Sequence, residues 1–348
     1  MVAPSVAARH FRRAMCHPGF EYARLVHYLE VWTKPFAVNE PSAPPLLSTD
    51  QMASFVARGF LKLEGVVPPA INALAMVELP QMFRSWLNEF NATLANRPVE
   101  DDEAPLPRSG TALADAYDPA SAMGQMVRVP TIAGAIASLV GGNPVVDHHF
   151  VHLKRPFDGT AQGLHCDAIV ESGTAFDIQL FWFPHDVAPK AGGTRFVPGS
   201  HLRQVTTEDV ARYQHIAGEE YFSGPGGTVV IFHQGLWHAG APNHSETLRV
   251  MGKLRLNPTQ PQVGLWDTRD LATRNSNTDH VFAHSEAGTV ASVLRAKEDW
   301  YSTADHRHEI VKRALLWRYL SGDADFDVDW YLTRSENRAI LAQEAMAR

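Results

Sequence analysis

Gly163-Leu164-His165-Cys166-Asp167, taken with the distant Trp237-His238-Ala239-Gly240, decides the fold and the chemistry of this chain. On an extended strand, residues i and i+2 leave the same face, so the imidazole of His165 and the carboxylate of Asp167 converge on one point. His238 supplies a second imidazole from far downstream. Two imidazoles and one carboxylate on one side of a metal form the facial triad that leaves positions open on Fe(II). His165, Asp167 and His238 are therefore the candidate metal ligands.

Around these stretches the sequence has the texture of short strands separated by turns. Strands are predicted at Val145–Leu153, Leu164–Val170, Asp177–Phe183, Gly193–Val197, Thr228–Phe232 and Leu248–Leu256. Asp158-Gly159, Gly192-Gly193, Pro198-Gly199, Pro225-Gly226-Gly227 and Pro242-Asn243 punctuate them. Strands at this spacing point to an antiparallel double sheet of the jelly-roll kind rather than to alternating β and α units. In the last strand Leu248, Val250, Leu254 and Leu256 make an apolar face, and Arg249, Met251, Lys253 and Arg255 make a polar face suited to a wet cavity. His238 is predicted to end the strand that starts at Gly226, with the chain returning as a hairpin that brings Arg249 near its level.

A guanidinium beside a metal suits an acidic cosubstrate, because its planar fork meets a carboxylate in a bidentate manner. Arg249 is the candidate anchor, and Arg255, on the same face, is the alternative. Lys154 is a further candidate for binding an acid. Gln179, Phe181 and Phe183 share one strand face while Trp182 points the other way, and one of these sets lines the pocket, making Gln179 a third candidate cosubstrate contact after Arg249 and Lys154. Cys166, pointing away from its neighbours, reads as packing. Trp237 and the remaining histidines, including His148, His149, His152, His185, His201, His233 and His244, read as structural residues.

Outside the strands the chain is helical. Residues 1–36 read as helix around Tyr22, Leu25, Leu29 and Trp32, followed by a Pro-rich linker. Ser48-x-x-Gln51 is a capping box, Gly59 ends the helix it opens, Phe60–Leu63 is a short strand, and Pro68 opens a helix toward Leu87. A polar loop spans residues 97–110. From Val290 the helical pattern resumes, with Leu315, Trp317, Tyr319 and Leu320 as packing residues and Thr333-x-x-Glu336 as a last capping box.

The composition fits a globular protein: 348 residues, 45% hydrophobic, 20% charged and a net charge of −7. No Lys/Arg block long enough to track a phosphate backbone is present, so no nucleic-acid partner is expected. Nor does any apolar run reach the roughly 18 residues that a bilayer span needs. Two cysteines are too few for a disulfide framework and suit a reducing, cytoplasmic setting.

His165-x-Asp167, His238 and Arg249 eleven residues later together resemble the phytanoyl-CoA dioxygenase family of Fe(II)/2-oxoglutarate oxygenases. Ala191-Gly192-Gly193-Thr194-Arg195-Phe196-Val197-Pro198-Gly199-Ser200-His201 resembles the family's Gly-x-Leu-x-x-x-Pro-Gly-Ser-His segment, and residues 47–67 resemble its opening helix, glycine and strand. The family often has Gly-Asp where this chain has Gly227-Thr228. The resemblance covers roughly residues 47–258. It implies a double-stranded β-helix core flanked by helices, with His165, Asp167 and His238 as iron ligands and Arg249 binding the distal carboxylate of 2-oxoglutarate. Fe(II), 2-oxoglutarate and O2 are the cofactors it implies. Halogenating relatives carry a small residue in place of the carboxylate; Asp167 is intact, which favours hydroxylation or another oxidation.

The expected organisation is a helical arm and linker over residues 1–46, a dioxygenase domain over 47–289 with its jelly-roll core at about 143–258, and a helical extension over 290–348. The expected activity is oxidation of an unactivated C–H bond of a small organic substrate, releasing succinate and CO2. A ligand-binding or sensor protein on the same core would lack part of the triad or the arginine. A zinc hydrolase using the triad would leave Arg249 without a role.

Overall fold

In a computed structural model the protein is described over residues 43–94, 107–167, 175–203, 215–275 and 288–328. The helix expected within residues 1–36, most of the 97–110 loop and the capping box at Thr333 lie outside these residues. No helix among them is long and apolar enough to cross a membrane.

The chain enters through α1 (Thr49–Arg58), where the expected capping box forms: the Ser48 hydroxyl accepts from Gln51 N, and the Gln51 side chain accepts from Ser48 N. Gly59 closes the helix in the left-handed region at φ 79°. Next come β1 (Phe60–Leu63), α2 (Pro69–Leu94), α3 (Ala122–Val127) and α4 (Pro130–Val140). The strands follow as β2 (Val145–Lys154), β3 (Ile178–Phe183), β4 (Thr194–Phe196), β5 (Glu220–Tyr221), β6 (Thr228–His233), β7 (His238–Gly240) and β8 (Arg249–Asn257). Three helices close the described chain: α5 (Leu271–Arg274), α6 (Val290–Leu294) and α7 (Thr303–Ser321).

The strands form two antiparallel sheets, a five-stranded one in the order β1-β6-β3-β8-β2 and a three-stranded one in the order β5-β4-β7. This is the jelly-roll core with helical flanks. Period-two alternation gives the large sheet two different faces. Ile178, Leu180, Trp182, Val229, Ile231, Val250, Leu254 and Leu256 point outward into one apolar core with the helices, where Trp182 Nε1 donates to Asn72 Oδ1 of α2 at 3.1 Å. Phe181, Phe183, Val230, Phe232 and Met251 point inward and meet Phe196 of the small sheet. The Phe60 and Phe196 rings lie 4.7 Å apart between the sheets, and those of Phe181 and Phe232 also 4.7 Å apart.

Three expectations are corrected. The strand from Gly226 does not reach His238: β6 ends at His233, the chain turns with Leu236 N donating to His233 O, and β7 begins in the other sheet. Gly235 permits this turn, because a Cβ there would lie 2.5 Å from the His201 carbonyl. Hence β7 and β8 are not a hairpin, and His238 and Arg249 line one cavity from different sheets instead. Finally, Leu315 is 44% exposed, whereas Trp317 and Leu320 of the same helix are buried.

Candidate functional site

The mouth of the sandwich is built where β7 meets the His165 stretch. His165 N donates to His238 O at 3.0 Å and His238 N donates to His165 O at 2.8 Å, an antiparallel bridge that joins the two motifs through their backbones. The Pro198-Gly199-Ser200-His201 turn braces this bridge from behind. Ser200 Oγ accepts from Trp237 N at 2.9 Å and donates to Val197 O at 2.7 Å. His201 Nε2 donates to Val56 O of α1 at 3.1 Å.

Each histidine of the pair is oriented by the carbonyl two residues before it. His165 Nδ1 lies 2.9 Å from Gly163 O, and His238 Nδ1 lies 2.9 Å from Leu236 O. A carbonyl oxygen can only accept, so both Nδ1 atoms carry the proton and both Nε2 lone pairs are free for a metal. His165 Nε2 is 3.6 Å from Asp167 Oδ1, and His238 Nε2 is 3.8 Å from Asp167 Oδ2. One ligand atom from each of the three residues falls within 4.8 Å of the others. Two nitrogens and one carboxylate oxygen, preset on adjoining backbones, fit a facial triad and suit Fe(II).

The charges agree with that donor set. Burial opposes ionisation of Asp167, but His238, Lys253 and His165 outweigh it and hold the carboxyl well below the usual range. Burial also pushes the His238 imidazole down to about 3, so it is neutral and ready to ligate. Lys253 is then the cation that keeps Asp167 ionised, its Nζ 2.5 Å from Asp167 Oδ2.

A cavity opens beside the triad, lined by His152, His165, His238, Thr194, Arg249 and Lys253 among others. Arg249 is buried: its Nε donates to Gly192 O at 2.9 Å and its Nη1 to His152 O at 3.3 Å. Among the described residues no carboxylate pairs with it, and burial pushes its guanidinium down to about 10. Arg255, the alternative anchor, is instead matched by Asp177 at 2.7 Å and Asp147 at 3.5 Å.

The other candidates fall elsewhere. Lys154 donates to Thr160 Oγ1 at 2.8 Å and faces Asp158 at 3.5 Å, outside the cavity lining. Gln179 is fully buried on the inner face beside Phe181, but among the described residues its amide touches no hydrogen-bond partner, and it does not line the cavity. Of its face, Phe181 reaches the cavity. From sequence alone Lys253 falls on the wet face of the last strand without a role, and His152 reads as structural. Strand register was the missing signal: His152 pairs with Met251 and Phe150 with Lys253 on β2 and β8, so these side chains share the face that carries Arg249.

Comparison with known proteins adds the family. The phytanoyl-CoA dioxygenase (PhyH) profile matches residues 55–251, whereas no curated protein matches the chain. Among solved structures, AviO1 from Streptomyces viridochromogenes Tue57 is 20% identical, covering 62% of this chain and 97% of its own, with a TM-score of 0.43. EctD from S. alaskensis with bound Fe is 18% identical over 65% of this chain and 82% of its own, with a TM-score of 0.45. HygX from Streptomyces hygroscopicus with nickel and 2-oxoglutarate bound is 16% identical over 62% of this chain and 88% of its own, with a TM-score of 0.38. The profile spans more than half of the sequence and takes in the His-x-Asp pair, the second histidine and the arginine. The chain belongs to the phytanoyl-CoA dioxygenase family of Fe(II)- and 2-oxoglutarate-dependent oxygenases.

Proposed function

We propose that this oxygenase hydroxylates a C–H bond of a small organic substrate, with His165, Asp167 and His238 holding Fe(II) and Arg249 holding the distal carboxylate of 2-oxoglutarate. The observation that carries this reading is the isolation of Arg249, a buried guanidinium without an acidic partner among the described residues, lining the same cavity as both histidines. Bound Fe(II), with 2-oxoglutarate and O2, supplies the oxidising power, and succinate and CO2 leave. The chain's own residues do the positioning. The two carbonyl-pinned imidazoles present their Nε2 atoms, Lys253 keeps Asp167 ionised, and Arg249 sets the register of the cosubstrate by its fork.

Asp167 supports hydroxylation over halogenation, because a carboxylate ligand occupies the position that chloride would need. A zinc hydrolase on the same triad would have no use for Arg249. The deciding experiment loads purified protein with Fe(II) without oxygen, titrates 2-oxoglutarate, and then screens small acids, amino acids and lipids for substrate-stimulated succinate. A metal-to-ligand absorption band and stimulated succinate are expected. Tight zinc with no 2-oxoglutarate band would refute the assignment.

A further inference from the structure

Lys253 is a buried cation with a second capacity. It stands on the inner face of β8, opposite Phe150 of β2 and Phe181 of β3. Its side chain is 9% exposed. It lines the cavity with His165, His238 and Arg249, and its ammonium lies 5.5 Å from the centre of the Phe181 ring. Among the described residues, Asp167 is its only ionic partner.

Charge balance separates Lys253 from its neighbours. The two positive charges of Fe(II) are matched by Asp167 and by the metal-binding carboxylate of 2-oxoglutarate. Arg249 is matched by the distal carboxylate. Ligating imidazoles are neutral, and burial pushes His152 down to about 4, so it adds no charge at neutral pH. One positive charge, that of the buried Lys253 side chain, is then left over, and an uncompensated buried charge is costly. Arg255, next along the same face, shows the contrast, since Asp177 and Asp147 both face it. The ammonium has three donors. One reaches Asp167, and two remain for a ligand.

We propose that Lys253 is a specificity-determining residue that holds an oxyanion of the substrate, carboxylate or phosphate, beside the metal. The inference rests on the oxygenase reading above and names its substrate class: a small organic anion. The anion restores neutrality, the Phe181 ring flanks its carbon skeleton, and the fixed ammonium sets which C–H bond faces the metal.

The test uses the full chain and its Lys253→Gln and Lys253→Arg variants; glutamine keeps a donor for Asp167 without the charge. Each is saturated anaerobically with Fe(II) and 2-oxoglutarate. Benzoate, phenyl phosphate and methyl benzoate are then titrated, following both the absorption band and the melting temperature. Binding of benzoate or phenyl phosphate is expected, the better of the two naming the oxyanion, with no response to the neutral ester. Affinity should fall about tenfold or more in Lys253→Gln and return in Lys253→Arg. An equal response to ester and acid, an unchanged affinity in Lys253→Gln, or no response to either anion would overturn the assignment. Absence of the 2-oxoglutarate band in the wild-type protein is a separate failure, of the oxygenase reading, and the melting-temperature titrations with Fe(II) alone then decide Lys253.

Discussion

Replacing Arg249 by alanine tests the cosubstrate assignment directly, and the structure sets the size of the effect. A guanidinium has five N–H donors; two are engaged by Gly192 O and His152 O, which leaves three for a ligand. Two of these can meet a carboxylate side by side. Truncating one partner of a buried, hydrogen-bonded charge pair costs about 2–5 kcal/mol. At about 1.4 kcal/mol per tenfold, 2-oxoglutarate affinity should fall between roughly thirtyfold and a few thousandfold. The same change strips the two carbonyls of their donor, at about 1–3 kcal/mol for each buried group left unpaired, so the melting temperature should drop as well. Arg249→Lys keeps the charge and loses the fork, and should fall between wild type and alanine. Arg255→Ala breaks the contacts with Asp177 and Asp147 and should leave 2-oxoglutarate affinity close to normal. Anaerobic titration of the iron-loaded proteins, read at the metal-to-ligand band, measures all four. Near-normal affinity in Arg249→Ala with a large loss in Arg255→Ala would refute the reasoning.

Other expectations follow from the same geometry. His165→Ala and His238→Ala should each lose the single Fe(II) that the wild-type chain binds, measured by metal analysis after desalting; stoichiometric iron in both would break the triad. With 18O2 the product should carry the label, and it should contain no halogen even at high chloride; chlorinated product in the mass spectrum would contradict the role of Asp167. Stability should also depend on acid. Burial holds His233 at about 3 and pushes His201 well below its ordinary value, whereas the unfolded chain takes up these protons near pH 6.5. The unfolded state therefore binds more protons between these values, and stability present above about pH 6.5 is lost progressively as the pH falls toward 3. His233→Gln, which keeps an acceptor for Gly235 N, should flatten the profile of denaturation midpoint against pH; an unchanged slope would dismiss this cause.

Local periodicity explains what the sequence showed. Alternation in 248–256 separated the face of Val250, Leu254 and Leu256, which is buried as read, from that of Arg249, Met251 and Lys253, which lines the cavity; Leu248, read with the first face, is 37% exposed, and Arg255, read with the second, lies outside the cavity lining. The capping box at Ser48 and the strand Phe60–Leu63 formed where local chemistry placed them. What escaped depends on partners distant in the chain. The pairing of β8 between β3 and β2 decides that Lys253 meets Asp167 while Arg255 meets Asp177, and no spacing within β8 distinguishes the two cations. The transfer of the chain between sheets after His233 was hidden because Gln234–Trp237 reads as a continuing strand until the Ser200 hydroxyl and the His201 carbonyl are beside it. Two short helices, α3 and α4, were missed for the opposite reason. The α4 segment is apolar nearly all round, since it is buried among other elements, and so carries little amphipathic signal.

The backbone bridge between His165 and His238 has a consequence for iron exchange. The two segments pair through main-chain hydrogen bonds that involve no metal, and each ring is tethered to its own chain by Nδ1. Most of the orientational freedom of the imidazoles is therefore surrendered when the protein folds rather than when it captures the ion. A zinc finger works the other way, since its ligands gather only as the metal arrives and chelation unfolds it. Here a chelator should withdraw the metal and leave the frame standing, so that occupancy follows free Fe(II) by simple mass action and the same molecule can be emptied and refilled without refolding.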